Sequence, residues 1–221
     1  MKRVLIRYSA VAIAMAISLA FCQTRGEAAL VNAGFETGDL TGWTDSTGGF
    51  ASVVTSETGD FGTYTPASGN FFLQIVNGAA DTWLEVSQTV TLAVGDTLSG
   101  WAVLDWKDYD PFADAARVQV LDSNGNLVAT PFFQQGTTPD FADYAATAWS
   151  FTATTAGDYT LVYGSQNRFD GLNSSVGLFD AELILHSSQA VPEPASIVML
   201  GLGGIGMGLA AWRRRRNAVV A

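Results

Sequence analysis

The 221-residue chain is poor in cysteine, histidine and, away from its two ends, in basic residues. Cys22 is the only cysteine and lies near the N-terminus, so the rest of the chain can form neither a disulfide nor a cysteine-ligated metal site. His186 is the only histidine, which excludes a histidine-clustered zinc site by count. A Ser-His-Asp triad would have to be built from His186, at the margin of the central region. Between the two ends the basic residues are Lys107, Arg117 and Arg168 alone, against nineteen acids, a net charge of −16. Nucleic acid is thereby excluded as a partner, because phosphate binding needs lysine and arginine. No central window sustains an apolar period of 3.6, which argues against a helical body. A glycosidase needs only two carboxylates, about 5–5.5 Å or about 6.5–9.5 Å apart. The many acids leave that chemistry open, and no spacing singles out a pair.

What is present begins with two greasy ends. Lys2, Arg3 and Arg7 precede an apolar run from Tyr8 to Phe21, and Gly26-Glu27-Ala28 places small residues at a cleavage site. Residues 1–28 therefore read as a signal peptide, handled by the Sec translocon and signal peptidase. Leu19-Ala20-Phe21-Cys22 is the alternative lipobox, with Phe21 too large for its position. At the other end, a linker over 189–196 contains Val191, Pro192, Glu193 and Pro194. An uncharged run from Ile197 to Trp212 follows, then Arg213, Arg214, Arg215 and Arg216. As a helix these sixteen residues span about 24 Å, slightly less than a hydrocarbon core of about 30 Å. Trp212 is placed as an interfacial anchor, and the arginines hold residues 217–221 in the cytoplasm by the positive-inside rule. An ordinary single-pass anchor explains the same pattern. Gly201 to Gly206 satisfies G-x-G-x-x-G, but no strand precedes it and no βαβ unit follows, so nucleotide binding is set aside.

Pro-Glu-Pro, an apolar helix and an arginine cluster, in that order, resemble the PEP-CTERM sorting signal of exported bacterial proteins. The resemblance covers residues 191–221 and implies an address, with no chemistry attached. It implies exosortase as the processing partner and a Gram-negative bacterium that makes extracellular polysaccharide. The precursor would be anchored in the inner membrane. The body would then pass to the periplasm, outer envelope, cell surface or matrix.

Residues 29–188 form the expected domain. Period-two alternation is frequent: Phe71, Leu73 and Ile75 share one face. Val86, Gln88, Val90 and Leu92 oppose Glu85, Ser87, Thr89 and Thr91. Phe179, Ala181, Leu183 and Leu185 oppose Asp180 and Glu182. Turn signals at Val94-Gly95-Asp96, Ser123-Asn124-Gly125-Asn126 and Ala156-Gly157-Asp158 separate the runs. Nine to eleven short strands are expected, in an all-β antiparallel sandwich. Thr89–Trp101 and Thr152–Gly164 look alike and read as two hairpins. Trp43, Trp83, Trp101 and Trp149 are assigned to the core.

The opening Asn32 to Trp43, the stretch Ala67 to Leu73 and the closing Val176 to Leu183 resemble the galactose-binding-type jelly roll of many carbohydrate-binding modules. In that family a structural calcium often joins the first strand to the last. The resemblance maps its acidic ligands onto Glu36 and Asp180. The plain alternative is that Glu36 caps a turn and Asp180 faces water. The densest acidic and aromatic run, Asp105 to Asp114, fails as an EF-hand, since Ala113 and Gln119 occupy the glycine and glutamate places. Its Trp106 and Tyr109 are the candidate sugar-stacking residues, or else edge-of-core residues in a solvated loop. Asp122 to Asn126 offers oxygens too, but Asn-Gly is first a hairpin turn. The expected function is a non-enzymatic, exported, carbohydrate-binding or structural protein of the polysaccharide matrix. A secreted glycosidase or lyase is the alternative.

Overall fold

The computed structural model describes residues 30–137, 139–171 and 175–184. All fall in the compact unit Ala28–His186. The expected signal peptide, the Pro-Glu-Pro motif, the expected membrane helix and the arginine cluster lie outside the described residues. Twelve strands and no helix are found among the described residues. They are β1 (Thr44–Asp45), β2 (Ala51–Val54), β3 (Glu57–Thr58), β4 (Thr63–Tyr64), β5 (Phe72–Val76) and β6 (Trp83–Leu92). Then follow β7 (Thr97–Asp105), β8 (Ala115–Asp122), β9 (Leu127–Gln135), β10 (Thr147–Thr152), β11 (Gly157–Gln166) and β12 (Val176–Ile184).

Two five-stranded sheets form an antiparallel sandwich of jelly-roll type. Sheet A has the order β1-β6-β11-β8-β9 and sheet B the order β10-β7-β12-β5-β2. The alternation in β6 sets its faces: Val86, Val90 and Leu92 are buried between the sheets, while Thr89 and Thr91 are exposed. Gln88 is the polar residue on the inner face. Its amide clamps the opening segment, accepting from Val31 N at 2.6 Å and donating to Val31 O at 2.9 Å.

An aromatic stack fills the centre. Trp43 lies 5.0 Å from Phe35 and 5.3 Å from Tyr163, and Tyr163 lies 4.9 Å from Phe179. Each ring buried this way contributes about 1.5–3 kcal/mol by area alone. Hence a domain without thiols has a core sufficient to hold it.

The two stretches expected to be hairpins are not hairpins. β6 and β7 belong to different sheets, as do β10 and β11. Their Gly-Asp and Ala-Gly connections are arches that carry the chain across the sandwich. The β6–β7 arch is linked to the start of the next one: Gly95 N donates to Ala153 O at 2.8 Å and Ala153 N to Asp96 O at 2.9 Å. Alternation fixes which side chains face the core, and it is the same for a strand that turns back and for one that crosses over. The Asn124-Gly125 turn does join paired strands, β8 and β9, with Asp122 Oδ1 accepting from Asn124 N and Asn126 N.

Sheet B is covered on both faces. Outside it, Phe72, Trp101, Val103, Val176 and Leu178 form a second, smaller apolar cluster, against which Val54, Tyr64 and Tyr144 pack. The hairpin β3–β4 is fastened at its tip by Asp143, whose carboxylate accepts from Asp60 N and Phe61 N at 2.9 Å each. Among the described residues no such cluster covers the outer face of sheet A, and an accessible surface is built there.

Candidate functional site on the outer face of sheet A

Trp83 and Glu85 begin β6 and share the outward parity of Ser87, Thr89 and Thr91. Across the sheet, Gly164 of β11 is paired with both Glu85 and Arg117, and Arg117 of β8 with Phe133 of β9. A row therefore runs over four strands, about 14 Å at the usual strand spacing. Trp83 lies one step nearer the strand end, opposite Gln166.

Gly164 lets the row close up. A Cβ there would lie 3.0 Å from Trp83 Cε3 and 3.4 Å from Arg117 Cγ. Without it, the guanidinium sits over the indole, 3.8 Å from Cζ to the ring centroid, a favourable cation–π contact. Arg117 Nη2 also donates to Glu85 Oε1 at 2.6 Å. The charge is thus held on two sides, and Phe133 beside it is 55% exposed. Flat rings, a fixed guanidinium fork and a carboxylate together can stack on a ring and hydrogen-bond its hydroxyls.

Trp83 departs from the expected core position: it is half-buried and outward-facing. Trp43 and Trp149 do lie in the central core, and Trp101 in the cluster outside sheet B. The parity of Glu85 already placed Trp83 outside. Arg117 and Phe133 had no such signal, because their place beside Trp83 comes from strand pairing alone.

Trp106 is corrected in the other direction. It is fully buried, with Nε1 donating to Phe112 O at 3.3 Å, and a Cβ at Gly136 would overlap its ring. Its face is unavailable to a ligand, because the loop after β7 folds the indole into the sandwich. Tyr109, three residues on, is 39% exposed. The two residues do not form one surface.

Glu36 and Asp180 both approach Gly34. A Cβ at that glycine would lie 3.4 Å from Asp180 Oδ1 and 3.7 Å from Glu36 Cγ. Glu36 also caps a turn, Oε1 accepting from Asn70 N at 2.9 Å and Phe71 N at 3.1 Å. The Asn70 N–H, then that of Phe71, holds its carboxyl below the usual range. Asp180 does not face water. It is 4% exposed, with Oδ2 accepting from Trp101 Nε1 at 3.2 Å and Oδ1 from Ala181 N at 2.8 Å. Burial pushes its pKa up to about 6, and the charge of Glu36 adds to the rise. Two carboxylates, one of them buried, thus lie near Gly34. Among the described residues no group of three or more His, Cys, Asp or Glu side chains gathers there or elsewhere. The remaining ligands of a calcium ion would be carbonyl oxygens and water.

The other close acids are engaged. Lys107 Nζ lies 2.7 Å from Glu57 Oε1 and 3.1 Å from Asp105 Oδ2. Asp114, fully buried, accepts from Arg168 N at 2.8 Å, Asn77 Nδ2 at 3.0 Å and Ser175 N at 3.4 Å. These carboxylates fasten loops together.

Comparison with known proteins gives three findings. No curated protein matches the sequence. Among solved structures, TmCBM61 in complex with beta-1,4-galactotriose is 18% identical with a TM-score of 0.46, covering 73% of this chain and 100% of its own. The CBM22-1 xylan-binding domain of Xyn10C from Paenibacillus barcinonensis is 17% identical with a TM-score of 0.42, covering 70% of this chain and 94% of its own. A family 16 carbohydrate-binding module is 20% identical with a TM-score of 0.40, covering 70% and 97%. Residues 190–216, which include Val191 to Pro194 and Arg213 to Arg216, match the family model of the PEP-CTERM protein-sorting motif. The chain carries that motif, which marks an exported, membrane-passing protein of Gram-negative bacteria and implies exosortase as its processing partner.

Proposed function

We propose that the body is a non-enzymatic glycan-binding module, delivered by exosortase to the envelope or the extracellular polysaccharide matrix. The observation that carries the binding reading is Arg117 stacked on Trp83 over Gly164, tied to Glu85 and beside the exposed Phe133. Such a strip offers ring faces to sugar C–H surfaces and fixed polar groups to hydroxyls. The non-enzymatic reading is supported at one neighbouring acid pair, Glu57 and Asp105, which Lys107 bridges. Calcium would be held by Glu36 and Asp180. When bound it would neutralise their charges and join the opening loop to the last strand.

Titration of the full chain in detergent with neutral gluco-, xylo- and galacto-hexaoses tests the binding. Trp83→Ala is expected to weaken the preferred hexaose about tenfold, the loss of one well-packed aromatic contact. Wild-type affinity in both Trp83→Ala and Arg117→Ala would remove the strip from consideration. Mass spectrometry of the mature chain tests sorting: loss of everything beyond the Pro-Glu-Pro region supports it, and an intact tail opposes it.

A further inference from the structure

The edge of a sheet exposes a row of unpaired backbone groups unless something blunts it. Among the described residues the two large sheets have four edges: β1 and β9 end sheet A, and β10 and β2 end sheet B. β1 has two residues and β2 four, too short to template another strand. β9 is longer, but it contains Pro131, and its pairing with β8 shifts register between Val118 and Leu121. Both devices discourage a further strand. β10 has none of them. Its six residues, Thr147–Thr152, keep unbroken register with β7 and include no proline, no glycine and no charge.

The free edge of β10 can be read residue by residue. Ala153 N donates to Asp96 O at 2.9 Å, one place beyond the Thr152–Thr97 pair. Antiparallel pairs alternate between hydrogen-bonded and non-hydrogen-bonded, so Thr147, Trp149 and Phe151 turn their backbone groups to β7. Ala148, Ser150 and Thr152 turn theirs outward, and all three are exposed. This set is symmetric about Ser150. A second β10 laid antiparallel along the edge, with Ser150 facing Ser150 on a two-fold axis, pairs every outward N–H with an outward C=O. Ala148 then faces Thr152 across the axis. On the inner side Trp149 faces Phe151, an aromatic cross-strand pair, and Phe151 is only half-buried in the single chain.

Charge points to the same partner. Two bodies of net charge −16 repel each other and can touch only where acids are absent. Residues 144–157, which contain β10, carry no charge, and neither do residues 123–139, which contain β9. The two edge strands approach one another, so one flank of the sandwich is built from uncharged strands of both sheets. We propose that β10 is a self-association edge: two copies of the chain pair antiparallel through it, and sheet B runs on from one body into the other. The same patch is used on both copies, so the contact closes at a dimer. No part of this rests on the strip on sheet A.

Sedimentation and hydrogen exchange of the full chain in density-matched detergent test this. Wild type is expected to form a concentration-dependent dimer, in which the amides of Ala148, Ser150 and Thr152 exchange about tenfold more slowly than in the monomer. Ser150→Asp and Ser150→Lys each set like charges face to face on the axis, and each should be monomeric with those amides fast. The side chain of Ser150 is exposed, so neither change disturbs the fold. Mixing the two variants in equal amounts should restore the dimer, because aspartate then meets lysine. A mixture that stays monomeric overturns the pairing about Ser150. Wild type that is monomeric throughout, or whose three amides exchange equally fast at every concentration, overturns the proposal. A dimer that both variants retain would assign the contact to another part of the chain and overturn it as well.

Discussion

Asp105 ends β7 as a fully buried carboxylate beneath the β3–β4 hairpin. Burial raises its pKa to about 6, Asp143 and Glu57 add to the rise, and Lys107 opposes it. The folded chain therefore keeps a proton that the unfolded chain releases between the ordinary aspartate value of 3.8 and about 6. The corresponding stability is fully present below the lower value and is lost as pH rises through the upper one. Between pH 5 and pH 7 this group is expected to lower the Tm by roughly 5 °C, and Asp105→Asn should flatten that part of the slope. Melting curves of both proteins at several pH values, at constant ionic strength, decide it. Parallel slopes would show that Asp105 is not the titrating group. At this scale the sequence was readable where parity decides and silent where tertiary packing does. Trp83 shares its face with Glu85, so its outward position was implicit in the alternation. Trp106 follows the last residue of β7, where the chain turns, and no parity could tell that its ring folds inward.

At the scale of the elements, alternation gave the strands and their buried faces, and turn residues gave their ends. It did not give their neighbours. Gly95-Asp96 and Ala156-Gly157 end strands correctly, yet the chain crosses to the other sheet at both, and local residues carry no record of that choice. The strip on sheet A was hidden for the same reason, since it exists only once β6, β11, β8 and β9 are paired. Gly164 is the element-level test of that pairing. Gly164→Ala adds a methyl 3.0 Å from Trp83 Cε3 and 3.4 Å from Arg117 Cγ. Position 164 lies within a regular antiparallel strand and has no left-handed φ, so alanine fits the backbone there. The half-buried indole can shift by a few tenths of an ångström, so the change in Tm should stay within about 3 °C. The stacking should not survive. Intrinsic tryptophan fluorescence of Trp83 is expected to change with the loss of the guanidinium, measured as the difference spectrum against Trp83→Phe backgrounds. Hexaose affinity should fall several-fold. An unaltered difference spectrum with wild-type affinity would mean that Gly164 has no part in holding the pair.

Across the whole molecule, the dominant physical fact is a thiol-free body whose only basic residues are Lys107, Arg117 and Arg168. Two of these are already committed, Lys107 to Glu57 and Asp105 and Arg117 to Glu85. Glu36 and Asp180 lie far apart in sequence and are brought together beside Gly34. The calcium ion proposed there would tie the opening loop to β12. A Ca2+ ion binding only the folded chain stabilises it by RT ln(1 + [L]/Kd), about 2.7 kcal/mol at a hundredfold excess over Kd. For a domain of this size that is a rise in Tm of roughly 5–10 °C. The expected result is a rise of that size in wild type on adding calcium after EDTA treatment, a smaller one with magnesium, which demands near-ideal octahedral geometry and sheds its water reluctantly, and none in Asp180→Asn. General screening of a −16 surface would also stabilise the body. The comparison is therefore made at matched ionic strength with sodium chloride. A rise that sodium reproduces, or that Asp180→Asn retains in full, would place the effect in the overall charge and leave Glu36 as a turn cap and Asp180 as a buried acid held by Trp101 and Ala181.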